Sequence, residues 1–293
     1  MTSAPSNAPS SAPSSAPSSA PRIGMIAGSG LLPILVADGI RATGATVVCV
    51  GLRDQFDPAL PLHCDAFRPA GTLQIGKWIR ILRCAGIEET VMVGRVGKAQ
   101  MYEPLRLLRQ LPDLRAVLLY YRRLRFDRRS HVLLSAVADE LATAGVRLID
   151  STPYIPEHLA TIGVMGRVPP TTAQRRDIDF SWPLLRSIAN LGVGQGITVR
   201  DCDVIAVEAM EGTDAMIDRT AQLCRSGGWV LLKTAHDAHD MRADVPTVGV
   251  ATVERLSKAG GRVLVLGAGR VIMLEKFKMI AVADRLGIAL VGV

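Results

Sequence analysis

Apolar and polar positions along the chain follow two alternating periods. Continuous apolar runs at residues 23–27, 45–52, 89–93, 146–150, 197–200, 204–207, 229–233, 262–266 and 288–291 predict short buried strands. Between them, apolar positions recur at helical spacing over 31–43, 73–85, 131–144, 172–191, 214–223, 252–259 and 275–286. Strands alternating with helices indicate the α/β class. The first units run strand, Gly28-Ser29-Gly30 turn, helix, strand, with Pro33 in the first helical turn. That order opens a Rossmann-like unit. Residues 57–69 read as irregular.

Boundary chemistry divides the chain. Residues 1–21 repeat Ser, Ala and Pro and cannot bury enough apolar surface to fold, so a disordered tail is expected there. Two prolines, Pro153 and Pro156, follow a strand and place a link near 153–166. The expected organisation is a Rossmann-like N-terminal domain over 22–152 and a second α/β domain with a mixed sheet over 153–293. Asp201-Cys202-Asp203 is expected to turn one strand into the next.

Composition narrows the function. The chain has 293 residues, 48% hydrophobic and 21% charged, with a net charge of +7. That diffuse basic excess suits anionic substrates or an anionic surface and does not argue for nucleic acid. Aromatics at 4% also exclude a single-strand stacking platform. The five cysteines have no metal-site spacing and are expected to be reduced and mostly buried in a cytoplasmic protein. No apolar run reaches the roughly 18 to 20 residues that span a bilayer, and no secretory leader is evident. Arg122, Arg123, Arg125, Arg128 and Arg129 form either a solvated basic face or a contact with anionic headgroups.

Candidate chemistry gathers in two stretches. Glu208, Glu211 and Asp214 crowd a strand-to-helix corner, where open α/β folds hold ligands. Like charges there repel unless a cation offsets them. Thr213 is the expected N-cap of the helix. The second stretch, 233–249, packs Lys233, His236, Asp237, His239, Asp240, Arg242 and Asp244 into a loop. Carboxylates suit Mg²⁺ and basic groups suit phosphate oxygens, a pairing typical of phosphoryl chemistry. The amides of Gly28, Ser29 and Gly30 and the basic Arg95 are further candidates to meet phosphate. A dinucleotide is disfavoured, because Gly51-Leu52-Arg53 stands where a dehydrogenase places its ribose-binding acid.

Six segments occur in a telling order: I-A-G-S-G-L-L-P (26–33), V-G-R-V (93–96), G-V-M-G-R (163–167), V-G-Q-G (193–196), E-A-M-E-G-T-D-A-M-I (208–217) and D-x-R-x-D-x-P-x-x-G (240–249). In that order they resemble the UDP-2,3-diacylglucosamine pyrophosphatase family of the LpxI type, from Arg22 to Val293. The resemblance implies hydrolysis of UDP-2,3-diacylglucosamine to 2,3-diacylglucosamine 1-phosphate (lipid X) and UMP, an early step of lipid A synthesis. It also implies attack at the sugar-side phosphorus, Mg²⁺ with Mn²⁺ as an alternative, and a lipid-linked substrate held between two domains. A cytoplasmic protein in transient contact with the inner-membrane surface, and a homodimer, are compatible with it.

Site roles follow from matching positions. Asp240, Glu208, Glu211 and Asp214 form the expected catalytic set, with Asp240, Asp214 and Asp244 as metal ligands. Gly28, Ser29, Gly30, Arg95, Gln195, Gly212, Thr213, Lys233 and Arg242 are the expected substrate contacts. The chain departs from the family pattern at His236-Asp237, where Lys-Pro is usual, and at His239, where Gln is usual. Either the loop has drifted or a softer ligand set favours Mn²⁺ or Zn²⁺. A hydrolase of another nucleotide diphosphate-linked substrate, or a non-catalytic nucleotide or lipid-phosphate binding module, remains the alternative.

Overall fold

The computed structural model describes residues 20–96, 111–126, 130–236, 242 and 245–293. The first sheet contains β1 (Arg22–Ala27), β2 (Thr46–Leu52), β3 (Ala66–Ala70), β4 (Glu89–Val93) and β5 (Arg147–Leu148). Their order is β3-β2-β1-β4-β5 and every pairing is parallel, the strand order of a Rossmann-like sheet. β1 and β2 bury nearly all their residues, as parallel strands covered on both faces do. Helices α1 (Leu32–Ala42), α2 (Ile75–Cys84), α3 (Leu114–Leu119) and α4 (Ser130–Thr143) accompany this sheet. α2 buries Ile75, Trp78, Ile79 and Leu82, a stripe at helical spacing.

The segment read as irregular contains β3. Its residues are largely exposed and include Pro69, so neither hydrophobic period nor propensity marks it. It lies at the sheet edge, where a strand tolerates a proline.

The remaining strands are β6 (Gly163–Val164), β7 (Gly196–Arg200), β8 (Asp203–Val207), β9 (Val230–Lys233), β10 (Thr247–Val248), β11 (Val263–Leu266), β12 (Ile272–Met273) and β13 (Ala289–Gly292). Six of them form a sheet in the order β6-β13-β11-β9-β7-β8. β9, β11 and β13 are parallel and entirely buried, while β6 and the β7–β8 hairpin run antiparallel at the two sides. The sheet is therefore mixed. Helices α5 (Thr172–Asn190), α6 (Gly212–Leu223), α7 (Val250–Lys258) and α8 (Lys276–Leu286) belong to this second α/β domain. A capping box closes the start of α5, with Thr171 and Gln174 satisfying each other's backbone N–H groups.

Asp201 and Cys202 turn β7 into β8 with φ of 52° and 57°. Such left-handed pairs match the twist of two-residue hairpins. The Asp177 carboxylate on α5 accepts the Cys202 N–H at 2.7 Å and pins the turn to the helix.

One apolar cluster is common to both domains. Met25, Val36, Ile40 and Val91 of the first sheet layer share it with Val245, Ile272 and Leu274 of the second domain. The five cysteines are free thiols, but only Cys49 is buried, while Cys84 and Cys202 are exposed. The expectation of a mostly buried set fails because these two occupy a helix end and a hairpin turn. No helix of the described residues is long and apolar enough to cross a membrane.

Gly39, inside α1, decides between two opposed effects. Alanine is better than glycine in a helix interior by about 1 kcal/mol. However, a Cβ at this position would overlap the Tyr154 carbonyl oxygen, which belongs to backbone and cannot rotate away. Overpacking of about 1–3 kcal/mol outweighs the propensity gain. Gly39→Ala should lower the urea midpoint of unfolding; a raised midpoint would mean that this contact yields freely.

Candidate functional site

The second sheet brings its chemistry to one edge. β9 ends in Lys233, and because β7 runs antiparallel to it, the start of β7 lies opposite, with Gly196 paired to Lys233. The hairpin then returns β8 alongside, and the Glu208 N–H donates to the Gly196 carbonyl at 2.8 Å. Two acidic and basic segments separated by more than twenty residues thus share one root.

At that root lies a buried polar network. Lys233 Nζ lies 3.2 Å from Glu208 Oε1, 3.1 Å from Glu208 Oε2 and 2.6 Å from Thr213 Oγ1. Thr213 Oγ1 in turn donates to Glu208 Oε1 at 2.8 Å. Three acceptors for the three ammonium protons leave the buried cation fully satisfied. Lys233 and Glu208 are only 5% and 8% exposed, so neither charge would be tolerable alone. Thr213, the expected N-cap, has a different task. α6 starts at Gly212 with Glu211 in the cap position, and the Thr213 hydroxyl serves the ion pair.

The V-G-Q-G segment makes room for this network. A Cβ at Gly194 would overlap the Glu208 carbonyl oxygen, and one at Gly196 would lie 2.5 Å from Glu208 Oε2. Between the two glycines, the Gln195 carbonyl accepts the Thr234 N–H at 2.9 Å. Gln195 thereby contributes backbone to the first residue after β9.

The three carboxylates of the corner point three ways, and each has its own cation. Glu208 faces Lys233. Glu211 accepts from Arg219 at 2.5 Å and from the Ala209 N–H at 3.2 Å. Its carboxyl is held below the ordinary glutamate value, first by its own backbone N–H and then by the Arg219 guanidinium. Asp214 lies on the outer side of α6, 3.8 Å from Arg255, which also holds Asp218 at 2.6 Å. The repulsion expected of this corner is relieved pairwise, by Lys233, Arg219 and Arg255 rather than by one shared cation.

The loop after β9 is anchored at both ends. Gly267 N–H donates to the Lys233 carbonyl at 3.0 Å, and Arg270 Nη1 donates to the His236 carbonyl at 3.1 Å. The sequence pattern does not single out Arg270; the signal it offers is an arginine directly after the Gly267-Ala268-Gly269 turn. At the far end, Val245 packs into the apolar cluster shared with the first domain. Arg242 occupies an exposed turn. Asp237, His239, Asp240 and Asp244 lie outside the described residues, so the expected catalytic and metal roles of Asp240 and Asp244 do too. Among the described residues no three His, Cys, Asp or Glu side chains gather in a group that could hold a metal ion.

Gly28, Ser29, Gly30 and Arg95 sit in the first domain, at the ends of β1 and β4. Here the expected amide cradle meets a physical obstacle. Gly28 N–H donates to the Val93 carbonyl at 2.8 Å and Ser29 N–H to the Arg95 carbonyl at 2.8 Å, so two of the three amides are already satisfied. Ser29 and Arg95 form an antiparallel bridge, completed by Ser29 Oγ donating to the Arg95 carbonyl at 3.0 Å. The Arg95 side chain is exposed.

The buried pair makes a clear energetic prediction. Lys233→Met leaves the Glu208 carboxylate buried without its partner and should destabilise the fold by about 3–5 kcal/mol. Replacing both, Lys233→Met with Glu208→Leu, should cost far less than the sum of the two single changes. A double-mutant cycle in urea measures the coupling. Additive losses would mean that the two groups do not interact as their geometry indicates.

The chain matches the LpxI N-terminal domain model over residues 22–158 and the LpxI C-terminal domain model over residues 161–291. It is also 32% identical over 281 residues to the UDP-2,3-diacylglucosamine pyrophosphatase LpxI of Caulobacter vibrioides, covering 93% of this chain and 97% of that protein. With its Rossmann-like sheet, its mixed second sheet and the root that joins its two acidic segments, the chain belongs to the LpxI family.

Proposed function

We propose that this protein hydrolyses the pyrophosphate bond of UDP-2,3-diacylglucosamine, releasing UMP and 2,3-diacylglucosamine 1-phosphate, in the synthesis of lipid A. The observation that carries this reading is the shared root of the two motif segments. Glu208 stands three residues before the E-G-T-D corner (211–214), Lys233 stands seven residues before the D-x-R-x-D segment (240–244), and the two are locked together by a buried ion pair. The full-length likeness to a relative named for this activity supports the same reading.

In this account the residues divide the work. The Glu208–Lys233–Thr213 network does not touch substrate. Its ammonium is saturated, so Lys233 acts by fixing where the loop begins. Holding reacting groups in place is itself a large part of catalysis. Arg242, in an exposed turn, is assigned to the pyrophosphate charge that builds in the transition state. Asp240 orients or deprotonates the attacking water. Water adds to one phosphorus, the bridging P–O bond breaks, and the departing phosphate carries away the electron pair.

A divalent cation, Mg²⁺ or Mn²⁺, enters the proposal only through Asp240 and Asp244. Glu208, Glu211 and Asp214 do not converge, and each is engaged by a basic side chain, so this trio by itself does not fit a metal.

The test is UMP release from UDP-2,3-diacylglucosamine by the purified chain. Asp240→Ala should lower turnover by about 10²–10⁴-fold, the range of a positioned acid or base, with unchanged unfolding. Near wild-type turnover in that variant would remove Asp240 from the mechanism. Adding EDTA should stop release and Mg²⁺ or Mn²⁺ should restore it. Full activity in EDTA would end the metal proposal while leaving the hydrolysis intact.

A further inference from the structure

The segment 111–126 does not behave like an ordinary surface. Its inner face is conventional: Ala116, Leu119 and Leu124 pack into the core of the first domain. Its outer face should then be polar. Instead Leu111 is 65% exposed, Leu114 74%, Tyr121 63% and Phe126 87%, with Leu118 and Tyr120 also open to solvent. Isolated exposed apolar residues need no explanation, but a grouped set does.

This face is held firmly in place. Asp113 accepts the Ala116 N–H at 2.9 Å as the cap of α3, and also the Gly76 N–H of α2 at 2.5 Å. Arg115 pairs with Glu140 at 2.7 Å, and Arg123 pairs with Asp139, both on α4. The exposure is thus a property of docked structure.

The segment has an excess of positive charge, although Arg115 and Arg123 are paired with Glu140 and Asp139. Four arginines, Arg115, Arg122, Arg123 and Arg125, stand against one acid, Asp113, giving 4 − 1 = +3 over the segment. Arg122 and Arg125 are exposed and form no ion pair among the described residues. The Arg125 guanidinium lies 4.5 Å from the centre of the Phe126 ring. Leucines to enter the acyl boundary, aromatic rings for the headgroup level and arginines for anionic headgroups are the chemistry of an interfacial face.

We propose that residues 111–126 dock this protein on the anionic surface of a phospholipid bilayer. The apolar side chains enter the headgroup layer while Arg122 and Arg125 meet lipid phosphates. The inference is independent of the reaction, because binding is read without substrate.

The experiment is flotation of the full chain with vesicles of phosphatidylcholine alone and with phosphatidylglycerol added. Binding should require the anionic lipid and should weaken as salt rises, because the attraction is screened within a Debye length. Arg122→Glu with Arg125→Glu should lower the binding constant about tenfold or more. Phe126→Ser with Leu114→Ser should weaken binding while leaving the urea midpoint near wild type, since both side chains already face solvent. Equal binding to neutral and anionic vesicles, indifference to salt, or variants that bind as wild type would overturn the proposal. A dimer in sedimentation that Phe126→Ser dissolves, without vesicle binding, would instead make this face a contact between two copies of the chain.

Discussion

An ammonium at the end of a strand buried along its whole length is tolerable only if acceptors surround it. Lys233 ends such a strand, and the architecture around it supplies those acceptors. Unpaired, the charge would oppose folding by several kcal/mol, so every element that completes its shell is under the same demand. Glu208 must reach it from β8 and Thr213 from the first turn of α6. Gly194 and Gly196 must lack side chains, because those would occupy the space of the Glu208 backbone and carboxylate.

Topology makes this economical. A parallel sheet alone would place Lys233 at an open edge beside other strand ends. The antiparallel β7–β8 hairpin brings a strand start to that edge and then a strand end beside it, so the acid and the base arrive from different segments. The hairpin depends on its Asp201-Cys202 turn, and that turn depends on Asp177 of α5. Functional geometry at one end of the sheet is therefore linked to a buried carboxylate at the other. The loop that follows Lys233 is tied back by Arg270 at its start and by Val245 at its end, where the two domains share apolar surface.

Much of this was legible in the sequence, and the limits have physical causes. Buried parallel strands announce themselves as unbroken apolar runs, so β1, β2, β4, β9, β11 and β13 could be placed from hydrophobic period alone. β3 could not, because an exposed edge strand has neither the period nor the propensity. The family was legible from the order of its motifs. The roles inside the motif were less so. Glu208, Glu211 and Asp214 are neighbours in sequence, and only the fold reveals that one turns inward to a lysine and two turn outward to arginines. Sequence gives no account of which acceptors surround an ammonium, and the three around Lys233 Nζ are visible only in the fold. The amides of Gly28 and Ser29 looked free for the same reason, since the backbone bridge to Arg95 joins residues over sixty positions apart.

The proposed reaction cuts one particular anhydride bond. Mass spectrometry of the products formed from UDP-2,3-diacylglucosamine in ¹⁸O-labelled water identifies that bond. The proposed hydrolysis should give UMP and 2,3-diacylglucosamine 1-phosphate, with the label in one of the two phosphates. UDP with free diacylglucosamine, or unchanged substrate in the presence of folded protein and divalent cation, would contradict it.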